Sequence, residues 1–235
     1  MSQQQYGGPA SARAVAVVRL AFGVLTAVAL GVQADHTVSV LKGSMGNFFS
    51  YFTIESNIAM TVVLLVGGVL GLMGREGVPD LLRGAVTLYM VVTGVVYAVA
   101  LSGYPLLGTL PWVNDVVHRL MPVVILIDWL AVPPRRQLRY TQALCWLDFP
   151  LLYLPYTLIR GPIVDWYPYP FLDPREKGYA HVAVSSLLVT LAFVAFGALL
   201  VRAGNLFSRR RASAADPLAT PLRRDPGRRD RRPLP

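Results

Sequence analysis

The stretch VAVSSLLVTLAFVAFGALLV (182–201) contains twenty residues and no charged side chain. Two further uncharged stretches precede it, TVVLLVGGVLGLM (61–73) and GAVTLYMVVTGVVYAVAL (84–101). An α-helix of about 20 apolar residues is long enough to cross the hydrocarbon core of a bilayer. The whole chain of 235 residues is 54% hydrophobic and only 15% charged, which is typical of a chain surrounded by lipid. The sequence therefore predicts an all-α fold, a polytopic membrane helical bundle.

We expect about six transmembrane helices in this bundle. Their predicted ranges are 14–33, 47–73, 81–101, 113–132, 141–158 and 179–201. Arg19 lies one or two turns inside the first range, so its side chain is expected to reach back to the membrane interface. A cleaved signal peptide ending near residues 32–34 is the alternative for this segment, and the length of the apolar stretch favours a retained helix. The glycines Gly67 and Gly71 have the GxxxG spacing that allows close helix packing.

Most of the positive charge lies at the C-terminus. The chain has a formal net charge of +9, and from Arg202 onward ten arginines face three aspartates. This segment is rich in Pro and poor in aromatic and β-branched residues, so it buries too little apolar area to fold. We therefore divide the chain into a six-helix transmembrane domain (1–201) and a basic, disordered tail (202–235). The expected partners of the tail are anionic lipid headgroups rather than nucleic acid, because no interleaved aromatic residues accompany the arginines.

The distribution of basic residues between loops predicts the orientation. Arg75 and the group Arg135, Arg136 and Arg139 belong to the side that also carries the tail, and the positive-inside rule makes that side cytoplasmic. Both termini are then cytoplasmic, and a plasma membrane protein of the multi-pass type is expected. The opposite loops contain aromatic residues typical of an outer interface, among them Trp166, Tyr167, Tyr169 and Phe171.

Polar residues at membrane depth are few, and their positions indicate where function lies. At about 1.5 Å per residue, Thr53 and His118 enter the bilayer from the outer side by similar distances on the second and fourth predicted helices. Asp128 lies deeper, and Asp148 approaches its level from the inner side, so a second polar cluster is expected there. Interhelical hydrogen bonding is the ordinary role of Thr and Asn in such helices.

The sequence lacks the motifs that define several common classes of enzyme. It contains no GxSxG, HExxH, Walker or protein-kinase motif, which excludes the reaction classes that those motifs define. Cys145 is the only cysteine, and three scattered histidines do not have metal-ligand spacing. We therefore expect neither a metal nor a cofactor.

Three motifs carry a resemblance to a known family: FFSYFTIESN (48–57), NDVVHRLMPVVILIDWL (114–130) and WYPYPFLD (166–173). Together they resemble the bacterial six-helix branch of the androgen-induced transmembrane protein family. The resemblance extends over nearly the whole chain up to about residue 201. Its most specific part is the spacing of His118, Pro122, Asp128 and Trp129.

The resemblance implies hydrolysis of fatty acyl esters by an intramembrane threonine and histidine, whose motif positions are held here by Thr53 and His118. A threonine hydroxyl needs a base within hydrogen-bond reach, and a low-dielectric surrounding favours the neutral imidazole that a base must be. Asn114, four residues before His118, is expected to orient the imidazole. Asn57, Asp128 and Asp148 complete the set of supporting polar residues.

Two hypotheses from different classes follow. The first is a lipid-ester hydrolase whose apolar, lipid-like substrate enters from the membrane. The second is a non-catalytic bundle that binds or transports a lipid or small solute, and a deep carboxylate pair of Asp128 and Asp148 would favour it. Membrane lipids are expected partners in both cases.

The predicted topology can be tested with reporter fusions. A reporter inserted in the loop 133–140 should behave as cytoplasmic, because the arginines around it hold that loop inside. A matched fusion beside Lys42 should behave as external. External behaviour of the 133–140 fusion would contradict the six-span topology.

Overall fold

The computed structural model describes residues 9–103 and 108–215, and within these ranges the chain is helical, with no β-strand. The first half contains four α-helices and one π-helical turn: α1 (Pro9–Ser39), α2 (Met45–Phe48), α3 (Phe52–Leu72), α4 (Asp80–Val96) and the π turn Tyr97–Leu101. The second half contains five α-helices and three other helical turns: α5 (Pro111–Asp115), the π turn Val116–Leu120, α6 (Met121–Ala131), α7 (Tyr140–Ala143), the 3-10 turn Leu144–Leu147, α8 (Asp148–Val164), the 3-10 turn Pro170–Leu172 and α9 (Pro174–Ala215).

Length and composition identify four helices of the described chain that could cross a membrane: α1, α3, α4 with its π turn, and α9. Two further stretches of the chain are continuously helical, one from the start of α5 to the end of α6 and one from the start of α7 to the end of α8. The first of these contains three charged residues, and α8 by itself has only 17 residues. The all-helical fold is as expected, and the count of six spans stays a prediction.

α1 and α3 pack closely through small residues. A Cβ atom on Gly68 would lie 2.6 Å from Cγ of Leu20 and 2.9 Å from the carbonyl oxygen of Ala16, so only glycine permits this approach. A Cβ on Gly71 would meet Ala16 at 3.0 Å, whereas one on Gly67 would find only ordinary contact distances. The close contact is therefore made by Gly68 and Gly71, rather than by the expected pair.

Arg19 does not reach the interface as expected but is buried, with a side-chain exposure of 5%. Its Nε lies 2.7 Å from Oδ1 of Asp128 and its Nη2 lies 3.1 Å from Oδ2, which is a bidentate ion pair. Arg83, equally buried, places Nη2 3.0 Å from Oδ2 of the same carboxylate and donates to the Val132 carbonyl at 2.8 Å. Asp128 on α6 thus links α1 to α4.

The expected cluster of Asp128 with Asp148 does not form. Asp148 is exposed, and no hydrogen bond or ion pair in the described ranges joins the two carboxylates. Asp148 lies at the junction of the 3-10 turn and α8 with its side chain exposed, where a carboxylate needs no buried partner.

One end of the bundle gathers the loops that the sequence assigned to one side. The amide of Arg135 donates to Oδ2 of Asp80 at 2.7 Å, and the amide of Leu138 donates to Oδ1 of Asn205 at 2.8 Å. The loop before α4, the loop after α6 and the end of α9 are therefore neighbours.

The last helix is longer than the sequence indicated. α9 begins with a turn that is kinked at Gly178, whose positive φ of 75° favours glycine, and then continues to Ala215. Residues 202–215, expected to belong to the disordered tail, are thus helical, because Asn205 and Ser208 hydrogen-bond the loop after α6. The remainder of the tail, 216–235, lies outside the described residues.

Two apolar clusters meet at the start of α3. Phe52 belongs to the cluster between α4, α8 and α9, and Ile54 belongs to the cluster between α1, α3, α4 and α6. Thr53 therefore lies where the two clusters adjoin, and its side chain is surrounded by protein rather than by lipid.

Replacing Asp128 by Ala should destabilise the protein by about 3 kcal/mol, because it leaves two buried guanidinium groups without their shared carboxylate. The measurement is thermal unfolding in detergent. The exposed Asp148→Ala is the matched control and should change stability by less than about 0.5 kcal/mol. Equal effects of the two substitutions would contradict the structural role assigned to Asp128.

Candidate functional site

The first turn of α3 is capped in an unusual way. Tyr51, the residue before the helix, has extended backbone and no capping side-chain bond. Instead, the amide of Phe52 donates to the Tyr153 phenol oxygen at 3.3 Å, and the amide of Thr53 donates to the Tyr169 phenol oxygen at 3.2 Å. Two tyrosines from distant parts of the chain thus satisfy amides that a helix start leaves without partners.

The structure brings Thr53 and His118 together. Thr53 Oγ1 lies 3.2 Å from His118 Nε2, within hydrogen-bond distance. Thr53 is 6% exposed and His118 is partly buried, so the contact is shielded from solvent. A hydroxyl and an imidazole in this geometry have the arrangement of a nucleophile and its general base.

His118 lies in a π-helical turn that has a specific cause. The amide of Met121 bonds to the carbonyl of Val116, five residues back, and the next residue, Pro122, has no N–H. The carbonyl of Val117 therefore has no amide partner in its own helix. Asn57 supplies one, with Nδ2 donating to Val117 at 3.3 Å.

Asn57 also fixes the position of the site on α3. The same Nδ2 donates to the carbonyl of Thr53 at 2.8 Å, and the residue is fully buried. One amide therefore bridges the residue that carries the hydroxyl and the turn that carries the imidazole. Asn57 therefore joins the first turn of α3 to the turn that carries His118, and its supporting role in a catalytic site stays a prediction.

The imidazole of His118 is held by stacking. Its ring lies on Tyr97 with centroids 4.4 Å apart and planes 20° apart. Asn114 donates to the Tyr97 phenol oxygen at 2.7 Å, so it orients the histidine through the tyrosine and not by a direct side-chain bond. Nδ1 of His118 interacts with the backbone of Asn114 without forming a well-aligned hydrogen bond. Asp115 and Arg119 form the exposed surface pair that their spacing predicts.

Tyr169 is a residue of the site that sequence reasoning missed. Its phenol oxygen lies 3.3 Å from Thr53 Oγ1, and the residue is 8% exposed. The ring stacks on Phe171 and meets Tyr51 edge to face. The signal was the motif WYPYPFLD, but aromatic residues of a predicted outer loop indicated only an interface belt.

The loop that carries Tyr169 is anchored at both sides. Arg175 pairs with Asp165 at 2.7 Å and with Asp173 at 2.6 Å. The hydrogen-bonded guanidinium holds the pKa of Asp173 below its usual value, and Asp173 in turn raises the pKa of Arg175. The Tyr167 ring lies so close to Gly161 that any Cβ there would overlap it.

Two cavities adjoin the site. The first has a volume of about 90 Å³ and is lined mainly by apolar side chains of α4, α8 and α9 together with Thr53 and Tyr169. The second is a groove of about 450 Å³ between α4 and α6, with His118 and Arg119 in its wall. Thr53 thus lines the first cavity, and His118 lines the second.

In the described part of the chain, no three His, Cys, Asp or Glu side chains come together in a way that could hold a metal ion. Asp128 is occupied by its two arginines and does not contact Thr53 or His118. The site therefore consists of Thr53 and His118, the bridging Asn57, and the two tyrosines that contact the imidazole and the hydroxyl, Tyr97 and Tyr169.

These features define an all-helical protein with long apolar helices and a shielded hydroxyl–imidazole contact. No family model, curated protein or solved structure matches the chain. The family resemblance therefore depends on the three sequence motifs alone.

Asn57→Ala should destabilise the protein by about 1–3 kcal/mol, since it removes the amide that donates to the buried Val117 carbonyl. Thermal unfolding in detergent measures the effect. Ser102→Ala, which removes an exposed hydroxyl bonded to its own helix, is the control and should be nearly neutral. An unchanged melting temperature for Asn57→Ala would refute the bridging role.

Proposed function

We propose that this protein is a multi-pass membrane hydrolase of lipid (fatty acyl) esters, with Thr53 as nucleophile and His118 as general base. The observation that carries the proposal is the 3.2 Å contact between Thr53 Oγ1 and His118 Nε2 beside an apolar cavity. An apolar cavity with a few convergent polar groups is the usual form of a binding site for an apolar ligand.

The reaction begins with His118 taking the hydroxyl proton of Thr53 while Oγ1 attacks the ester carbonyl carbon. This step uses the tautomer with the proton on Nδ1, which leaves Nε2 free to accept. The tetrahedral intermediate collapses, the ester C–O bond breaks, and the departing alkoxide takes the proton from Nε2. Water then attacks the acyl-threonine by the same route and releases the fatty acid.

The surroundings of the site suit an apolar substrate. The wall of the first cavity includes Pro150 and Leu151 of α8 and Val189 of α9. An acyl chain entering from the lipid would pass these side chains before reaching Thr53. The apolar wall favours the chain over water through the ordinary transfer free energy of apolar surface.

The proposal includes a cellular setting. We place the protein in the plasma membrane with both termini cytoplasmic, with membrane lipids as its partners and anionic headgroups at its arginine-rich tail. Membership of the androgen-induced transmembrane protein family, in its bacterial six-helix branch, is part of the same proposal.

The alternative function is a bundle that binds or transports a lipid or small solute without chemistry. The groove beside His118 favours it, because the groove is large and open enough for an acyl chain. The carboxylate pair that first suggested transport gives it less support, since Asp128 is paired with two arginines and Asp148 is exposed.

The test of the hydrolase is turnover of a long-chain fatty acyl ester by the full-length protein in lipid vesicles. Thr53→Ala and His118→Ala should each lower kcat by at least about 100-fold. The double variant should be scarcely worse than either single variant, because the two residues act as one unit.

Matched controls are available in α3 and α9. Thr61→Ala removes a buried hydroxyl two turns further along α3, which donates to the Asn57 carbonyl, and should leave kcat unchanged. His181→Ala serves the same purpose for the histidine. Full turnover by both single site variants would reject Thr53 and His118 as the catalytic pair. A wild type that shows no turnover but binds a fluorescent fatty acid saturably would favour the alternative.

A further inference from the structure

We propose that Tyr169 is the oxyanion donor of this site and thus its third catalytic residue, an inference that rests on the proposed ester hydrolysis. Its phenol group touches the reacting hydroxyl directly, at 3.3 Å from Thr53 Oγ1. It also lines the cavity in which the ester carbonyl would lie. Neither His118 nor Asn57 can fill this role, since one acts as base and the other is occupied by two backbone carbonyls.

The direction of the hydrogen bonds leaves the phenol proton available. The Thr53 amide donates to the Tyr169 oxygen at 3.2 Å, and this bond uses a lone pair of the phenol and not its proton. The Thr53 hydroxyl proton points to His118 Nε2 when the imidazole acts as base. The phenol O–H therefore donates to Thr53 Oγ1, which gives a one-directional chain from Tyr169 through Thr53 to His118.

During attack the phenol O–H of Tyr169 can change its hydrogen-bond acceptor as negative charge develops on the carbonyl oxygen. As the bond from Oγ1 to the carbonyl carbon forms, the π electrons of the C=O bond move onto its oxygen, one carbon away from Oγ1. The phenol shifts its hydrogen bond from Oγ1 to that oxyanion, and no proton leaves Tyr169. When the intermediate collapses, the C=O bond reforms and the phenol returns to its starting partner. Such a donor is effective when it lies about 2.7–3.1 Å from the oxyanion.

The donor is held in place before any substrate arrives. The Tyr169 ring is stacked on Phe171 with centroids 5.2 Å apart and planes 8° apart, and it meets Tyr51 at 5.8 Å. Arg175 ties the following segment to Asp165 and Asp173. A preorganised donor stabilises the transition state without a reorganisation cost during the reaction.

Tyr153 is a natural comparison for Tyr169, because its phenol group binds the same helix start but has a structural role only. Its phenol oxygen also accepts an amide of the α3 start, that of Phe52, at 3.3 Å. Its own proton, however, is donated to the Ser50 carbonyl at 2.8 Å, so it has none to offer to a substrate. Both tyrosines cap the helix, but only Tyr169 has the geometry of an oxyanion donor.

The experiment compares Tyr169→Phe with Tyr153→Phe in the full-length protein, assayed with a long-chain fatty acyl ester in vesicles. Tyr169→Phe should lower kcat by about 100- to 1,000-fold with little change in KM, the usual effect of removing one oxyanion donor. Tyr153→Phe should lower the melting temperature and leave kcat within about threefold. Labelling of Thr53 by a long-chain fluorophosphonate, whose phosphoryl oxygen takes the oxyanion position, should slow in parallel with kcat.

Each outcome decides the question. A Tyr169→Phe variant with kcat within about threefold of wild type, or equal kcat losses in both tyrosine variants, would overturn the oxyanion role while leaving the hydrolase intact. An inactive and unlabelled wild type would instead overturn the hydrolase itself. If Tyr169→Phe does not fold, Tyr169→Met also lacks a donor and fills the gap with a flexible side chain, and the same kcat and KM criteria apply to it.

Discussion

The site depends on one constraint: a carbonyl group inside an apolar bundle must have a hydrogen-bond donor. Pro122 removes an N–H from the helix that carries His118, and the π turn before it leaves the Val117 carbonyl without a partner. Asn57 satisfies that carbonyl and the Thr53 carbonyl with a single amide. The Asn57 amide that satisfies the Val117 carbonyl thus also fixes the distance between the Thr53 hydroxyl and the His118 imidazole. A π turn stabilised in this way is a local irregularity with a functional consequence.

Buried charge plays the corresponding role at the other end of α6. Asp128 accepts hydrogen bonds from Arg19 and Arg83, so that three charged side chains are buried together inside the bundle. Each of them loses its hydration on burial, and their mutual pairing offsets that free-energy cost. Such a cluster contributes little net stability compared with well-packed apolar residues, but any sliding of α1 or α4 along α6 would break it. We therefore expect it to fix how α1 and α4 are aligned along α6.

Part of the site was predictable because its signal is local. Thr53 and His118 were selected by the family resemblance of their motifs and by their similar expected depth on two helices, and Asn57 lies four residues after Thr53 on the same helix. Tyr169 and Arg19 were interpreted wrongly for the opposite reason. Tyr169 is 116 residues from Thr53, and Arg19 is 109 residues from Asp128. An aromatic residue in a loop and an arginine near a helix end have ordinary interfacial roles unless a distant partner is known.

The sequence by itself determined that the protein is all-helical and that its long helices are apolar enough for a bilayer, because a run of twenty uncharged residues can satisfy its backbone only as a helix in lipid. It also determined which few polar side chains lie within those helices. The tertiary structure alone decided which of them meet: Thr53 with His118 and Tyr169, and Asp128 with two arginines rather than with Asp148. The physical reason is that a hydrogen bond tolerates only a few tenths of an ångström, and that precision depends on how each helix is rotated and packed against its neighbours.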